Sequence, residues 1–179
     1  MNPDIERIFF SSEQISKRVA ELGAQITADY RDREPVFVGV LKGSFVFMAD
    51  LMRSIDINCL IDFMAVSSYG DGTSTTGAVK ITKDLSRDIQ GRDVIIIEDI
   101  LDSGVTLSYL KQYLSVRRPA SISICTLLDK PARRRADISP DYTGFECPDA
   151  FIVGYGLDYA EKYRNLPYIG VLRPEIYQD

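Results

Sequence analysis

Residues 94–110, VIIIEDILDSGVTLSYL, bring three acids and two hydroxyls close together after an apolar run. Glu98 and Asp99 follow four consecutive β-branched residues, and Asp102, Ser103, Gly104, Val105 and Thr106 come next. Two adjacent carboxylates repel an anion. They suit a diol, or a divalent cation, which takes hard oxygen ligands. The 102–106 run suits the opposite charge. If a helix opens there, its free N–H groups and dipole favour an anion. The Ser103 and Thr106 hydroxyls add hydrogen bonds, and Gly104 lets the backbone approach a phosphate closely. Acids beside an anion cradle describe the binding of a sugar phosphate. The chain contains no histidine. Ser-His-Asp and Cys-His catalysis and His-containing metal sites are therefore excluded, and any proton transfer must use a carboxylate, Lys, Tyr or Cys.

Such a cluster has to be held at the end of a buried strand, and the sequence supplies one. VFVGVL (36–41) reads as a strand buried on both faces, as does 94–98, while SFVFMADLMRS (44–54) reads as an apolar helix. INCLIDFMAVSSY (57–69) and GAVKITKDL (77–85) read as strands, the second with one exposed face. Ser11 and Gln14 have capping-box spacing ahead of a helical face made by Ile15, Val19, Leu22 and Ile26. A helix over about 105–115 presents Leu107, Leu110 and Leu114, a strand follows at 121–128, and short strands are expected near 150–153 and 168–172. Alternating strands and helices imply an α/β fold with a mainly parallel twisted sheet flanked by helices. Ligands of such sheets bind beyond the carboxyl ends of the strands, where Glu98 and Asp99 fall.

Length and composition fit one domain over residues 1–179, with 45% hydrophobic residues to build a core and a net charge of -5. That acidity disfavours a broad nucleic-acid-binding face, and no apolar run approaches membrane-spanning length. Cys59, Cys125 and Cys147 form no CxxC pair and read as reduced, mostly buried thiols. A cytoplasmic soluble protein is the expectation. No G-x-x-x-x-G-K-[ST] occurs, which excludes a P-loop; GYGLDY (154–159) has Tyr159 where a dinucleotide motif needs its third glycine.

VIIIEDILDSGVTL resembles the donor-binding signature of the phosphoribosyltransferases, which use 5-phosphoribosyl 1-pyrophosphate. VGVLKGSFVFMADLMR (38–53), LLDKPARR (127–134) and FIVGYGLDYAEKYRNLPYIGVL (151–172) are similar to segments of the 6-oxopurine branch, in order and with plausible spacing. SSYGDGTSTTG (67–77) stands in the place of that branch's mobile catalytic loop, on a β-hairpin, and its composition suits a lid. The resemblance implies a hypoxanthine-guanine phosphoribosyltransferase of compact bacterial type, with a small purine-binding hood on the core. Regulators that keep this fold bind RNA, and a xanthine-preferring enzyme is the nearest alternative within the enzyme class.

The same resemblance implies the residue roles. Glu98 and Asp99 would hold the ribose hydroxyls, directly or through magnesium, and Asp102, Ser103, Gly104, Val105 and Thr106 would take the 5-phosphate. Asp102 would also exchange a proton with purine N7, as acceptor or donor. Lys42, Gly43, Ser68, Tyr69 and Arg164 would meet the pyrophosphate, where the planar fork of arginine suits phosphate oxygens. The Leu41-Lys42 peptide is cis in some members. Lys130 would donate to the purine 6-oxygen, Phe151 would stack on the base, and Ile152 would contact it through its backbone. Asp158 would lie near the 2-position, its carboxylate open to a second magnesium. Mg2+ is thus the implied cofactor, a 6-oxopurine and the donor sugar are the substrates, and a homodimer or homotetramer is the implied assembly.

Overall fold

The computed structural model describes residues 1–68 and 79–178. The first strand, β1 (Ile5–Phe10), leads into helix α1 (Ser12–Asp29). The capping box at its start is formed: Ser11 Oγ accepts from the Gln14 N–H at 3.3 Å, and Gln14 Oε1 accepts from the Ser11 N–H at 2.9 Å. The expected face of Ile15, Val19, Leu22 and Ile26 is buried.

The centre of the molecule is an alternation of strand and helix. It comprises β2 (Val36–Leu41), α2 (Phe45–Arg53), β3 (Leu60–Ser68), β4 (Val79–Lys83), β5 (Asp93–Leu101), α3 (Val105–Ser115), β6 (Ser121–Asp129) and β7 (Tyr142–Glu146). These strands form a six-stranded sheet in the order β4-β3-β2-β5-β6-β7. Only β4 runs antiparallel, paired with β3 as the hairpin anticipated from the sequence. The sheet is buried on both sides, which is why β2 and residues 94–97 of β5 are wholly apolar. On one face α1 and α2 close over Phe37, Ile95 and Ile97. On the other, Leu107, Leu110 and Leu114 of α3 cover Val38, Val94 and Ile96.

A second, three-stranded antiparallel sheet caps the carboxyl end. Strand β1 pairs with β9 (Ile169–Leu172), which pairs with β8 (Ile152–Val153), and a short helix α4 (Pro174–Tyr177) follows. Its own small core is Ile5, Val153 and Leu172. The expected hood is this sheet, and the chain's first strand is built into it. Neither β1 nor β7 was anticipated. In β1 only Ile5 is fully buried, so no alternation marks it, and β7 is five residues around Gly144.

Candidate active site

The site begins where two ladders part. Strand β2 pairs with β5 only as far as Gly39 opposite Ile97, then continues beside β3 to Leu41 opposite Ala65. Strand β5 stays paired with β6 as far as Leu101 opposite Asp129. Past Ile97, therefore, one edge of β5 is free of its neighbour, and Glu98 and Asp99 are the residues at the parting. Helix α2 packs on one face of the sheet and α3 on the other, so this crevice is a topological switch point, where α/β sheets bind ligands. The acids lie within β5, which runs three residues beyond the 94–98 expected. Pairing with β6 through the polar residues extends it.

Glu98 and Asp99 are partly buried neighbours held by local contacts. The Asp99 N–H donates to Glu98 Oε1 at 3.2 Å, and the Ile100 N–H donates to Asp99 Oδ1 at 2.8 Å. Burial raises both carboxyls above the ordinary carboxylate range, Glu98 furthest because the Asp99 charge adds to it. Gly43, on the β2 side, lies against the same pair; a Cβ there would collide with the Asp99 carboxylate. The Leu41-Lys42 peptide that leads to it is cis.

The segment after β5 turns at Gly104, whose φ of 78° is left-handed and whose missing Cβ makes room for Ile138 and Arg134. Helix α3 starts immediately afterwards, with the Val105 N–H 3.4 Å from Ser103 Oγ. The N-cap, Gly104, has no side chain to cap the turn, so the first N–H groups beyond Val105 are left to the loop of Asp102, Ser103, Gly104, Val105 and Thr106. The loop is pinned from behind. Arg135 and Ala136 N–H groups donate to the Ser103 carbonyl at 2.9 and 3.1 Å, and Arg134 Nε donates to the Asp102 carbonyl at 3.1 Å. Arg134 also donates to the Ile138 carbonyl and to the Asp129 carboxylate.

A cleft of about 490 Å³ adjoins this loop, and Asp102, Lys130, Phe151, Ile152 and Asp158 all line it. Asp102 Oδ1 is buried without a hydrogen-bond partner, while Oδ2 lies 3.9 Å from Arg133. Lys130 is buried, and its ammonium donates to the Ala150 carbonyl at 2.9 Å. Phe151 is 39% exposed; Tyr177 stacks on it at 4.4 Å with 18° between planes, and Tyr159 meets it edge-on at 5.5 Å. At the far side Arg164 lies largely buried, its Nη1 donating to the Gly156 carbonyl at 2.7 Å and its Nη2 3.0 Å from Asp158. Its Nε is a second buried polar atom without a partner. Lys42 reaches into the same region, 3.0 Å from Glu161.

Of the remaining expectations, Ser68 is the last residue of β3, and Tyr69 with most of the 67–77 loop lies outside the described residues. Arg134, Glu161 and Tyr177 carried no local signal in the sequence. Arg134 sits among two other arginines, and Tyr177 comes close to the end of the chain.

The phosphoribosyl transferase domain model matches residues 9–160, which hold the acid pair, the loop and the cleft lysine. The chain belongs to the phosphoribosyl transferase family. A Bacillus subtilis hypoxanthine-guanine phosphoribosyltransferase is 58% identical over 178 residues, 99% of each chain. A Staphylococcus aureus hypoxanthine phosphoribosyltransferase structure superposes with a TM-score of 0.95 at 53% identity, covering 98% of this chain and 96% of that one. That of the Trypanosoma cruzi hypoxanthine phosphoribosyl transferase gives 0.94 at 41% identity, covering 99% and 96%. The six-stranded sheet and its cap are thus a phosphoribosyl transferase core with a hood.

Could the acid pair hold a metal? Both carboxyls are partly buried and raised by burial, Glu98 also by the Asp99 charge, and their hard oxygens fit Mg2+. Among the described residues no group of three or more His, Cys, Asp or Glu side chains converges. Asp158 does not join the pair in such a group, so each site would draw further ligands from substrate and water, as magnesium sites usually do.

Proposed function

We propose that the protein is a purine-salvage enzyme. It transfers the 5-phosphoribosyl group from 5-phosphoribosyl 1-pyrophosphate to N9 of hypoxanthine or guanine, yielding the nucleotide and pyrophosphate. The observation that carries this reading is the unpartnered, buried Asp102 Oδ1, on a residue that lines the cleft with Lys130 and Phe151 and lies in a loop suited to a phosphate. The relatives' names support the same reaction.

The chain's own groups divide the work. The 102–106 loop holds the 5-phosphate on N–H groups and hydroxyls, fixing one end of the sugar. Glu98 and Asp99 accept hydrogen bonds from the 2- and 3-hydroxyls or hold Mg2+ there, and Asp158 is available to a second ion. Magnesium, when bound, offsets the charge of the leaving pyrophosphate. Gly43, Lys42 and Arg164 receive that leaving group, with Ser68 and Tyr69 assigned to the same region. Lys130 donates to O6 of the base, a contact that the amino group of adenine cannot accept. Phe151 stacks on the ring, and Ile152 contacts its edge. As the C1–O bond to pyrophosphate breaks and the C1–N9 bond forms, the base loses a proton, and Asp102 takes it from N7. Microscopic reversibility makes Asp102 the donor in the reverse reaction.

All residues from 1 to 179 act as one domain, since residues from Ile15 to Val171 share one apolar cluster. The cytoplasm is the assigned compartment; the three cysteines are free, and among the described residues no helix is long and apolar enough to cross a membrane. The assembly is a homodimer or homotetramer, for which exposed Phe45 and Ile61 offer apolar surface.

One assay tests the whole reading. Protein, magnesium and the donor sugar are incubated separately with hypoxanthine, guanine, xanthine, adenine and orotate, and nucleotide is measured. Nucleotide from hypoxanthine and guanine is expected; product only from xanthine or orotate, or none at all, overturns the assignment.

A further inference from the structure

The two cations assigned to pyrophosphate are joined by a third residue. One carboxylate oxygen of Glu161 lies 3.0 Å from Lys42 Nζ, and the other lies 3.3 Å from Arg164 Nη2. Lys42 comes from the end of β2, and Arg164 from the long connection between β8 and β9, so Glu161 spans opposite walls of the crevice. Its own N–H donates to Asp158 Oδ2 at 2.8 Å. The backbone holding it is left-handed at Ala160 and Glu161, with φ of 50° and 65°, a conformation that residues with a Cβ rarely adopt. The Arg164 donors not tied to an acid or to Gly156 include the buried, unpartnered Nε.

In this arrangement a carboxylate stands where the leaving-group assignment puts a phosphate edge. Two oxygens of one anionic group bridge the same lysine and arginine that the leaving group needs. Pyrophosphate would have to take those cations from Glu161, and the displaced carboxylate would remain nearby as a like charge. Glu161 is 65% exposed, and an exposed ion pair is weak, so the exchange is cheap in both directions. A modest opposing charge is what a reversible leaving-group site calls for.

We propose that Glu161 is a positioning residue that competes with pyrophosphate for Lys42 and Arg164, keeping these cations in place in the empty site and weakening product retention. The proposal rests on the leaving-group assignment made above. It is tested by calorimetric titration of inorganic pyrophosphate, with and without magnesium, into the wild-type protein, Glu161→Gln, and Glu161→Asp as a charge-retaining control. Glu161→Gln should bind pyrophosphate about three- to tenfold more tightly, where tenfold corresponds to about 1.4 kcal/mol. The gain should shrink at high salt, since a screened charge competes less, and should shrink again in a Lys42→Met background. Glu161→Asp should stay close to wild type. A purely structural role predicts the reverse, weaker binding in Glu161→Gln, and that result or an unchanged affinity overturns the proposal. Wild-type protein that forms nucleotide but gains no affinity on charge removal refutes only this competition. Wild-type protein that binds no pyrophosphate refutes the leaving-group assignment and the competition together.

Discussion

Asp102 shows at the residue scale why this site is chemistry rather than scaffolding. A buried acceptor without a partner costs about 1–3 kcal/mol, and folded proteins seldom leave one. Here the oxygen belongs to a residue that lines the cleft together with Lys130, whose ammonium is already anchored on the Ala150 carbonyl. Replacing Asp102 by Asn keeps the shape and removes the proton acceptor. Turnover should fall by about 10²-fold or more, the usual scale of general acid–base catalysis, while the Michaelis constant for the donor sugar stays within about threefold. Steady-state kinetics with both substrates varied checks this. A large loss of donor affinity at unchanged turnover would remove the proton role. Lys130→Ala separates the two halves of the cleft. A hydrogen bond from a charged donor is worth about 1.5–3 kcal/mol, so hypoxanthine and guanine affinity should drop by roughly ten- to a hundredfold. Calorimetric titration of the donor sugar alone should give the wild-type value, and unchanged base affinity would show that Lys130 does not read the 6-oxygen.

At the scale of elements, the part of the design legible in the sequence is the part with a strong period or a fixed local rule. The aliphatic runs of β2 and β5, the leucines of α3 and the Ser11–Gln14 box appear as residues and reappear as structure. The acids and the loop were legible as residue types after an aliphatic run, while the cleft residues were found for a different reason, because ordered motifs resemble those of a known family. Tertiary facts had no local trace. The hood needs β1, which pairs with β9 along its whole length yet buries only Ile5 fully, so no alternation marks it. The backing of the phosphate loop needs Arg134, which reads as one of three surface arginines yet is mostly buried, with its guanidinium shared among Asp102, Ile138 and Asp129. That fork joins the end of β6, the loop after β5 and the 136–138 segment. A lysine cannot copy it, having a point charge and no planar fork. Arg134→Lys should therefore loosen the loop, raising the Michaelis constant for the donor several-fold and lowering stability by about 1–3 kcal/mol through unpaired buried acceptors. Urea unfolding alongside kinetics checks both. Unchanged values in the two measurements would mean that the loop stands without its fork.

For the molecule as a whole, the acid pair sets function against stability. Glu98 and Asp99 both titrate above the ordinary carboxylate range because burial, and for Glu98 the neighbouring charge, disfavours ionisation. A carboxyl raised on folding stabilises the native state below its unfolded value, about 4.3 for glutamate, and that contribution is lost as pH rises through the folded value. In the ligand-free protein, ionising the pair should thus cost stability as pH rises. Glu98→Gln relieves that cost. Its melting temperature should match wild type near pH 4 and exceed it at pH 8 by roughly 2–4 °C, the equivalent of about 1 kcal/mol for a chain of this size. The order should reverse with ligand. Donor sugar with magnesium should raise the wild-type melting temperature, because binding only the folded state stabilises it, and should raise that of Glu98→Gln much less. Equal melting curves at pH 8 would mean that water already solvates the pair. A stabilised variant that still gained fully from donor and magnesium would place the ion elsewhere. Greater stability without ligand, joined to loss of the ligand's effect, is the result that ties the charge to its use, since only a group held at a cost for binding behaves in both ways.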